Sequence, residues 1–315
     1  MKRLGRDIQV GMGGWDLPPF HKYFYPPRPR KGFRALEFYS QFFDFVEINS
    51  TFYNTLLGPQ HSRSWLRDVE HNKHFVFTVK LYRGFTHSYT AVRKDFLSVL
   101  RLLEPLVSEN RFAGLVIQFP HSFSNIRERR EYLRHLARGF RPHTLFLEVR
   151  HDSWNTPLMV NFFQESHLHL INVDLPPIRH HMPLTSISWG GVGYYRLMGR
   201  NERTWFRSEN GNRYLYCYSE EELHHLWSLM EESRAQNDRI FVVFHNDPEA
   251  NSLVNGFQLR HLLRKKRVLV PQHLIDAYPT LKPISSAVNV LHPLFADTSS
   301  PDYPSSGMMH SRTSF

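Results

Sequence analysis

The chain has 315 residues, 41% apolar and 22% charged, the proportions of an ordinary globular protein, and its length suits one α/β barrel or two smaller domains. Cys217 is its only cysteine, which excludes an internal disulfide and a thiolate metal cluster, and no apolar run is long enough to cross a membrane. The formal charge of +10 favours an anionic partner but does not indicate a chemistry.

The start, Met1 to Arg6, is basic and lacks the apolar stretch of a signal peptide, so a cytoplasmic protein is expected. Ile8 to Gly11 reads as a short strand entering Met12-Gly13-Gly14-Trp15. This is not a dinucleotide fingerprint, because the third glycine and the helix behind it are missing. Pro26, Pro27 and Pro29 mark a loop, and Phe33 to Phe43 has a helical apolar face. Phe45 to Asn49 is the second strand, with Glu47 and Asn49 on one face, and Ser50-Thr51-Phe52-Tyr53 is its terminal loop. A helix around Ser62 to Val69 leads to the third strand, Phe75 to Lys80, with Thr86-His87 just beyond. Val92, Phe96, Val99, Leu103 and Leu106 have helical spacing. Gly114 to Pro120 is a fourth strand, apolar on both faces as in a buried parallel sheet. Asn125 to Gly139 is an amphipathic helix with an arginine stripe from Arg127 to Arg141.

Phe146 to Val149 is the fifth strand, and the chain turns polar at His151. Alternation puts Glu148 and Arg150 on one face, opposite Leu147 and Val149. Two such charges are costly to bury unless paired, and are tolerable where a strand meets its end. Pro157 opens a short helix over Leu158 to Glu165. Leu168 to Asp174 is the sixth strand, with Asn172 and Asp174 on one face; Pro176, Pro177 and Pro183 then predict a long loop in place of a helix. Val192 to Leu197 is the seventh strand, ending at Met198-Gly199-Arg200. Ser219 to Glu222 forms a capping box in sequence and opens a helix through Met230. Arg239 to Phe244 is the eighth strand, entering His245-Asn246-Asp247-Pro248, and a last helix spans about Val254 to Leu263. Beyond Pro279, serine and proline dominate, which predicts a barrel domain over residues 1–278 and a disordered tail over 279–315.

Eight apolar strands, most followed by a helical pattern, argue for a single (β/α)₈ barrel, irregular after strand six, with a doubly wound open sheet as the alternative. In either case polar residues at the strand C-termini converge on one face.

Several pieces together resemble a known family: Val10-Gly11 to Gly14-Trp15, Tyr23 to Pro26, Val46 to Tyr53, Val79-Lys80 with Thr86-His87, Gln118-Phe119-Pro120, Glu148 with Arg150-His151 and Ser153-Trp154, Arg196-Leu197 with Gly199, and Asn246 with Asn255. In register and order, from Ile8 to Leu263, they resemble the YecE-like family, the domain of unknown function numbered 72. The resemblance implies a TIM barrel and no particular reaction. This chain departs from the pattern at Met12-Gly13, where a small hydroxyl residue followed by serine is usual, at His245 (asparagine usual) and at Asp152 (proline common).

The candidate catalytic group is Glu47, Lys80 and Glu148, because two carboxylates near one lysine can split their pKa values into an acid and a base; a structural ion-pair network is the competing reading. Trp15, Asn49, Tyr53, His87, Gln118, Arg150, Trp154, Asp174, Arg196, Arg200 and Asn246 are the candidate substrate-binding residues. Arginines after strand seven suit the phosphate position common in such barrels. No close-spaced metal motif supports a metal centre, so no cofactor is expected, although a divalent ion bound by scattered donors such as Glu47, His151 and Asp247 stays open. The leading expectation is an enzyme acting on an anionic, phosphorylated or nucleic-acid-derived substrate by acid–base or hydrolytic chemistry. The rival is a non-catalytic nucleic-acid-binding protein using its basic surface.

Overall fold

The computed structural model describes residues 8–206 and 212–288. Eight parallel strands pair in chain order and close: β1 (Ile8–Met12), β2 (Phe45–Ile48), β3 (Val76–Lys80), β4 (Phe112–Gln118), β5 (Leu145–Glu148), β6 (His169–Asp174), β7 (Gly191–Leu197) and β8 (Asn237–Phe244). Closure is direct: Ile8 to Met12 pair in register with Ile240 to Phe244. The open-sheet alternative is thereby excluded. The surrounding helices are α1 (Pro18–Tyr23), α2 (Ala35–Tyr39), α3 (Pro59–Asp68), α4 (Arg83–Thr86), α5 (Arg93–Ser108), α6 (Arg127–Phe140), α7 (Pro157–Glu165), α8 (Glu220–Arg234), α9 (Asn251–Arg264) and α10 (Gln272–Ala277).

Local signals account for several of these boundaries. Prolines stand at the first turns of α3 and α7, where a missing N–H is harmless. The capping box of α8 forms as its sequence suggests: Ser219 Oγ accepts from Glu222 N at 3.2 Å, and Glu222 Oε2 accepts from Ser219 N at 2.9 Å. The β6–β7 connection carries no helix, as expected. Asn172 holds it instead, its Oδ1 accepting from Thr185 Oγ1 at 2.6 Å and Ile187 N at 2.9 Å.

Two apolar layers follow from strand alternation. Phe45, Val76, Val116, Phe146, Tyr194 and Phe241 fill the barrel interior, while the outward residues pack under the helices. Moving two residues toward the C-terminal end of a strand returns to the same face. Glu47 therefore stands above Phe45, Glu148 above Phe146 and Arg196 above Tyr194, so a charged layer lies directly on an aromatic one.

The expected domain boundary after residue 278 falls inside packed chain. Residues 279–284 form a 3₁₀ turn that buries Leu281 completely, and β10 (Ser285–Val288) pairs in parallel with β9 (Val268–Pro271). Neither β9 nor α10 was foreseen. β9 buries Val268 and Val270 and α10 buries Leu274 and Ile275, but elements of four and six residues are too short for a periodic side-chain signal to stand out. The rest of the expected tail lies outside the described residues. Among those described, no helix is long and apolar enough to cross a membrane.

Candidate active site

The C-terminal mouth of the barrel opens into a cleft of about 540 Å³. Its floor is the charged layer. Arg196 lies at the centre and is fully buried, as are Glu47 and Glu148. Its Nη2 donates to Glu47 Oε1 at 2.7 Å and its Nη1 donates to Glu148 Oε2. Arg150 Nε donates to Glu148 Oε1 at 2.6 Å, which pairs the two charges that share a face of the fifth strand. Tyr194 Oη donates to Glu47 Oε2 at 2.8 Å and lies 3.2 Å from Thr78 Oγ1. Burial alone would raise both carboxyls. Arg196 and Lys80 overcome it at Glu47, and Arg150, Arg196 and Lys80 at Glu148, so both are held well below the usual carboxylate range.

His245, first residue after β8, completes the floor. Its Nε2 lies 3.0 Å from both Arg196 Nε and Glu47 Oε1. Burial, then Arg196, lowers its pKa to about 4, so the ring is neutral at pH 7 and Nε2 cannot serve both partners. Glu47 Oε1 already accepts from Arg196, so Nε2 is best assigned as the acceptor for Arg196 Nε and the proton to Nδ1.

Lys80 differs from its neighbours. It ends β3 on the same inward face as Thr78, and it lines the cleft. Its Nζ makes no hydrogen bond or ion pair among the described residues and lies 4.2 Å from the centroid of the Phe52 ring. Each oxygen of Glu47 and Glu148 already accepts a hydrogen bond from Arg196, Arg150 or Tyr194. Burial, then the Arg196 charge, lowers the amine to about 7 against the opposing pull of Glu47 and Glu148.

The cleft brings together seven of the residues expected from sequence: Asn49, Tyr53, Lys80, His87, Gln118, Arg150 and Arg196. Asn49 Nδ2 donates to Gly13 O at 2.8 Å, which ties the loops after β1 and β2. His87, half-buried beside Lys80 and Arg150, is held neutral with a pKa of about 4, first by burial and then by those cations. Glu47 and Glu148 lie beneath the lining rather than in it.

Five expected substrate-binding residues lie elsewhere. Trp154 is buried, donates its indole N–H to Phe123 O at 2.7 Å and stacks on Phe123; it is a plug. Trp15 packs edge-on against Trp65. Arg200 is clasped by Asp174, from Nε and Nη2 at 3.0–3.1 Å, and by Glu222 at 2.9 Å, so Asp174 and Arg200 neutralise each other away from the cleft. Asn246 is buried and donates to Tyr216 O and Asn255 Oδ1. Arg200, expected to hold a phosphate after strand seven, is therefore engaged by ion pairs, while Arg213 of the same segment lines the cleft. Arg83, Arg213, Tyr214 and Phe206 line the cleft and were not expected there; Arg83 opens the single turn of α4, Arg213 and Tyr214 lie in a 3₁₀ turn and Phe206 in a loop, none long enough for periodicity to mark it.

One group of metal-type donors occurs away from the floor. His151, Asp152 and His180 place three ligand atoms within 4.8 Å of one another. His180 Nδ1 lies within hydrogen-bond distance of Asp152 Oδ2, at 3.1 Å, whereas His151 Nδ1 accepts from Ser153 N at 3.2 Å.

The comparisons agree with this architecture. UPF0759 protein YunF from Bacillus subtilis (strain 168) is 27% identical over 274 residues, 81% of this chain and 94% of that protein. The crystal structure of a DUF72 family protein from Thermotoga maritima superposes with a TM-score of 0.73 at 29% identity, over 82% of this chain and all of that one. A DUF72 family protein from Enterococcus faecalis shares the fold with a TM-score of 0.72 at 21% identity, over 82% of this chain and 95% of that one. The model of the family described as "Protein of unknown function DUF72" matches residues 9–278, nearly the whole described barrel, and the chain belongs to that family.

Proposed function

We propose that this protein is an enzyme that acts on an anionic small molecule by acid–base chemistry, with Lys80 as the proton-transfer group. The observation that carries the reading is the Lys80 amine: it lines an open cleft at the barrel mouth, has no hydrogen-bond partner among the described residues, and titrates near neutrality. A group that gains and loses a proton near the working pH is the efficient acid–base catalyst. Glu47 and Glu148 fit that role less well, because both are fixed as carboxylates by their guanidinium partners; they set the field around the amine. Arg83, Arg150 and Arg213 line the same cleft and supply positive charge for an anionic group.

The nucleic-acid-binding reading has less behind it. Three arginines of α6 are held by neighbouring groups: Arg127 pairs with Glu131, Arg129 donates to Ser122 O and Ser124, and Arg130 donates to Asn125 Oδ1.

A thermal-shift screen of sugar phosphates, nucleotides and other phosphorylated or carboxylated metabolites identifies the ligand class, and turnover is then followed on the first ligand found. Lys80→Met is expected to retain binding and to lower kcat by about 10²–10⁴-fold, the usual contribution of a positioned acid–base group. Undiminished kcat in Lys80→Met would remove the proposal.

A further inference from the structure

We infer that Lys80 is a nucleophile as well as a proton carrier, and that it forms an imine with a substrate bearing an aldehyde or ketone next to a phosphate or carboxylate. The inference rests on the reading of the barrel mouth as an active site and names the substrate class for it. Three features of the geometry point to it. The Nζ atom makes no hydrogen bond or ion pair among the described residues, although two carboxylates lie close enough to influence it. The Phe52 ring holds the end of the side chain against one wall, at 4.2 Å. Arg83, Arg150 and Arg213 line the same space, so an anionic substituent held by them leaves a neighbouring carbonyl within the cleft that Lys80 also lines.

Charge balance explains why the amine is unprotonated often enough to react. Glu47 and Glu148 are matched by Arg150 and Arg196, two against two, so a proton on Lys80 adds an unmatched charge to a buried floor. The neutral amine attacks the carbonyl carbon, and a C–N bond forms as the C=O π pair moves to oxygen, which takes up a proton. The nitrogen releases a proton, the carbinolamine hydroxyl takes one and leaves as water, the nitrogen lone pair closes the C=N bond, and the iminium so formed gives up its remaining N–H proton. Amine and carbonyl give imine and water, and neither oxidant nor reductant is needed. Asp247, whose buried carboxyl is pushed up to about 6, lines the same cleft and is suited to exchange those protons.

The test uses the unaltered full chain. Pyridoxal 5′-phosphate, an aldehyde carrying a phosphate, is added at pH 7 with sodium cyanoborohydride to fix any imine, and the modified lysines are identified by peptide mass spectrometry over time. Lys80 is expected to be modified about tenfold or more faster than any other lysine, because far more of it is unprotonated. Excess inorganic phosphate should slow that site selectively by competing for the arginines. Modification of Lys80 no faster than of the other lysines overturns the imine. Loss of turnover in Lys80→Met would still support the acid–base role in that event, so the two readings fail separately.

Discussion

Lys80 derives its chemistry from the charges beneath it. Two carboxylates and two guanidiniums already cancel on the floor, and burial opposes a fifth charge. The consequence for stability has a definite sign. The folded value of about 7 lies below the ordinary value of 10.5, so between those limits the unfolded chain binds more protons than the folded one. Stability contributed by this group therefore rises as pH increases through that window, and its full penalty is present below it. Lys80→Met is expected to be more stable than the native chain at pH 6, by roughly a few kcal/mol, with the advantage shrinking toward pH 10. Urea unfolding of both proteins across that range measures it; an offset independent of pH would show that the lysine is not destabilised by its surroundings.

At the scale of the element, the ends of β1 and β8 constrain each other. The two strands are neighbours in the closed sheet, and Gly13 N donates to Phe244 O at 3.1 Å. A Cβ placed on Gly13 would lie 2.0 Å from His245 Cε1 and 2.3 Å from Nδ1, so the imidazole occupies the space a side chain at position 13 would need. Gly13 and His245 are two of the positions at which the sequence departs from the pattern of the family it resembles, and the contact explains them as one change. Gly13→Ser should destabilise the protein by about 1–3 kcal/mol through overpacking. Adding His245→Asn should recover most of that loss, because the smaller side chain vacates the space. A double-mutant cycle from denaturant midpoints decides the matter, and simple additivity would break the proposed link.

For the molecule as a whole, packed chain continues past the point where the sequence pattern fades. Leu281 is fully buried, and β10 covers the edge of β9 beside α10. Cutting the chain after Tyr278 removes that leucine and the entire β10 ladder. A loss of about 3 kcal/mol or more is expected, since removing a buried leucine side chain alone typically costs 2–5 kcal/mol. Comparison of the thermal midpoints of the full chain and the shortened one provides the check; unchanged stability would restore the boundary at residue 278.

Sequence alone determined the features that depend on neighbours in the chain. Short apolar runs marked all eight barrel strands, and the polar residues Glu47, Glu148, Arg150 and Arg196 were readable at or just beyond their C-terminal ends. The α8 capping box and the helix-free loop after β6 were readable for the same reason. Which charges meet was decided only by closure. Glu47 and Arg196 are 149 residues apart, and it is the register of β2 and β7 around the barrel that brings them to 2.7 Å. The same register joins Arg196 to Glu148 and so leaves Lys80 without an acceptor among the described residues, and it gives Arg200 to Asp174 rather than to the cleft. Trp154 reads like a ligand-facing aromatic in the chain, and only the packing of Phe123 and Phe163 against it shows a plug. Alternation is a local property of a strand, whereas pairing depends on distances that only the closed barrel sets.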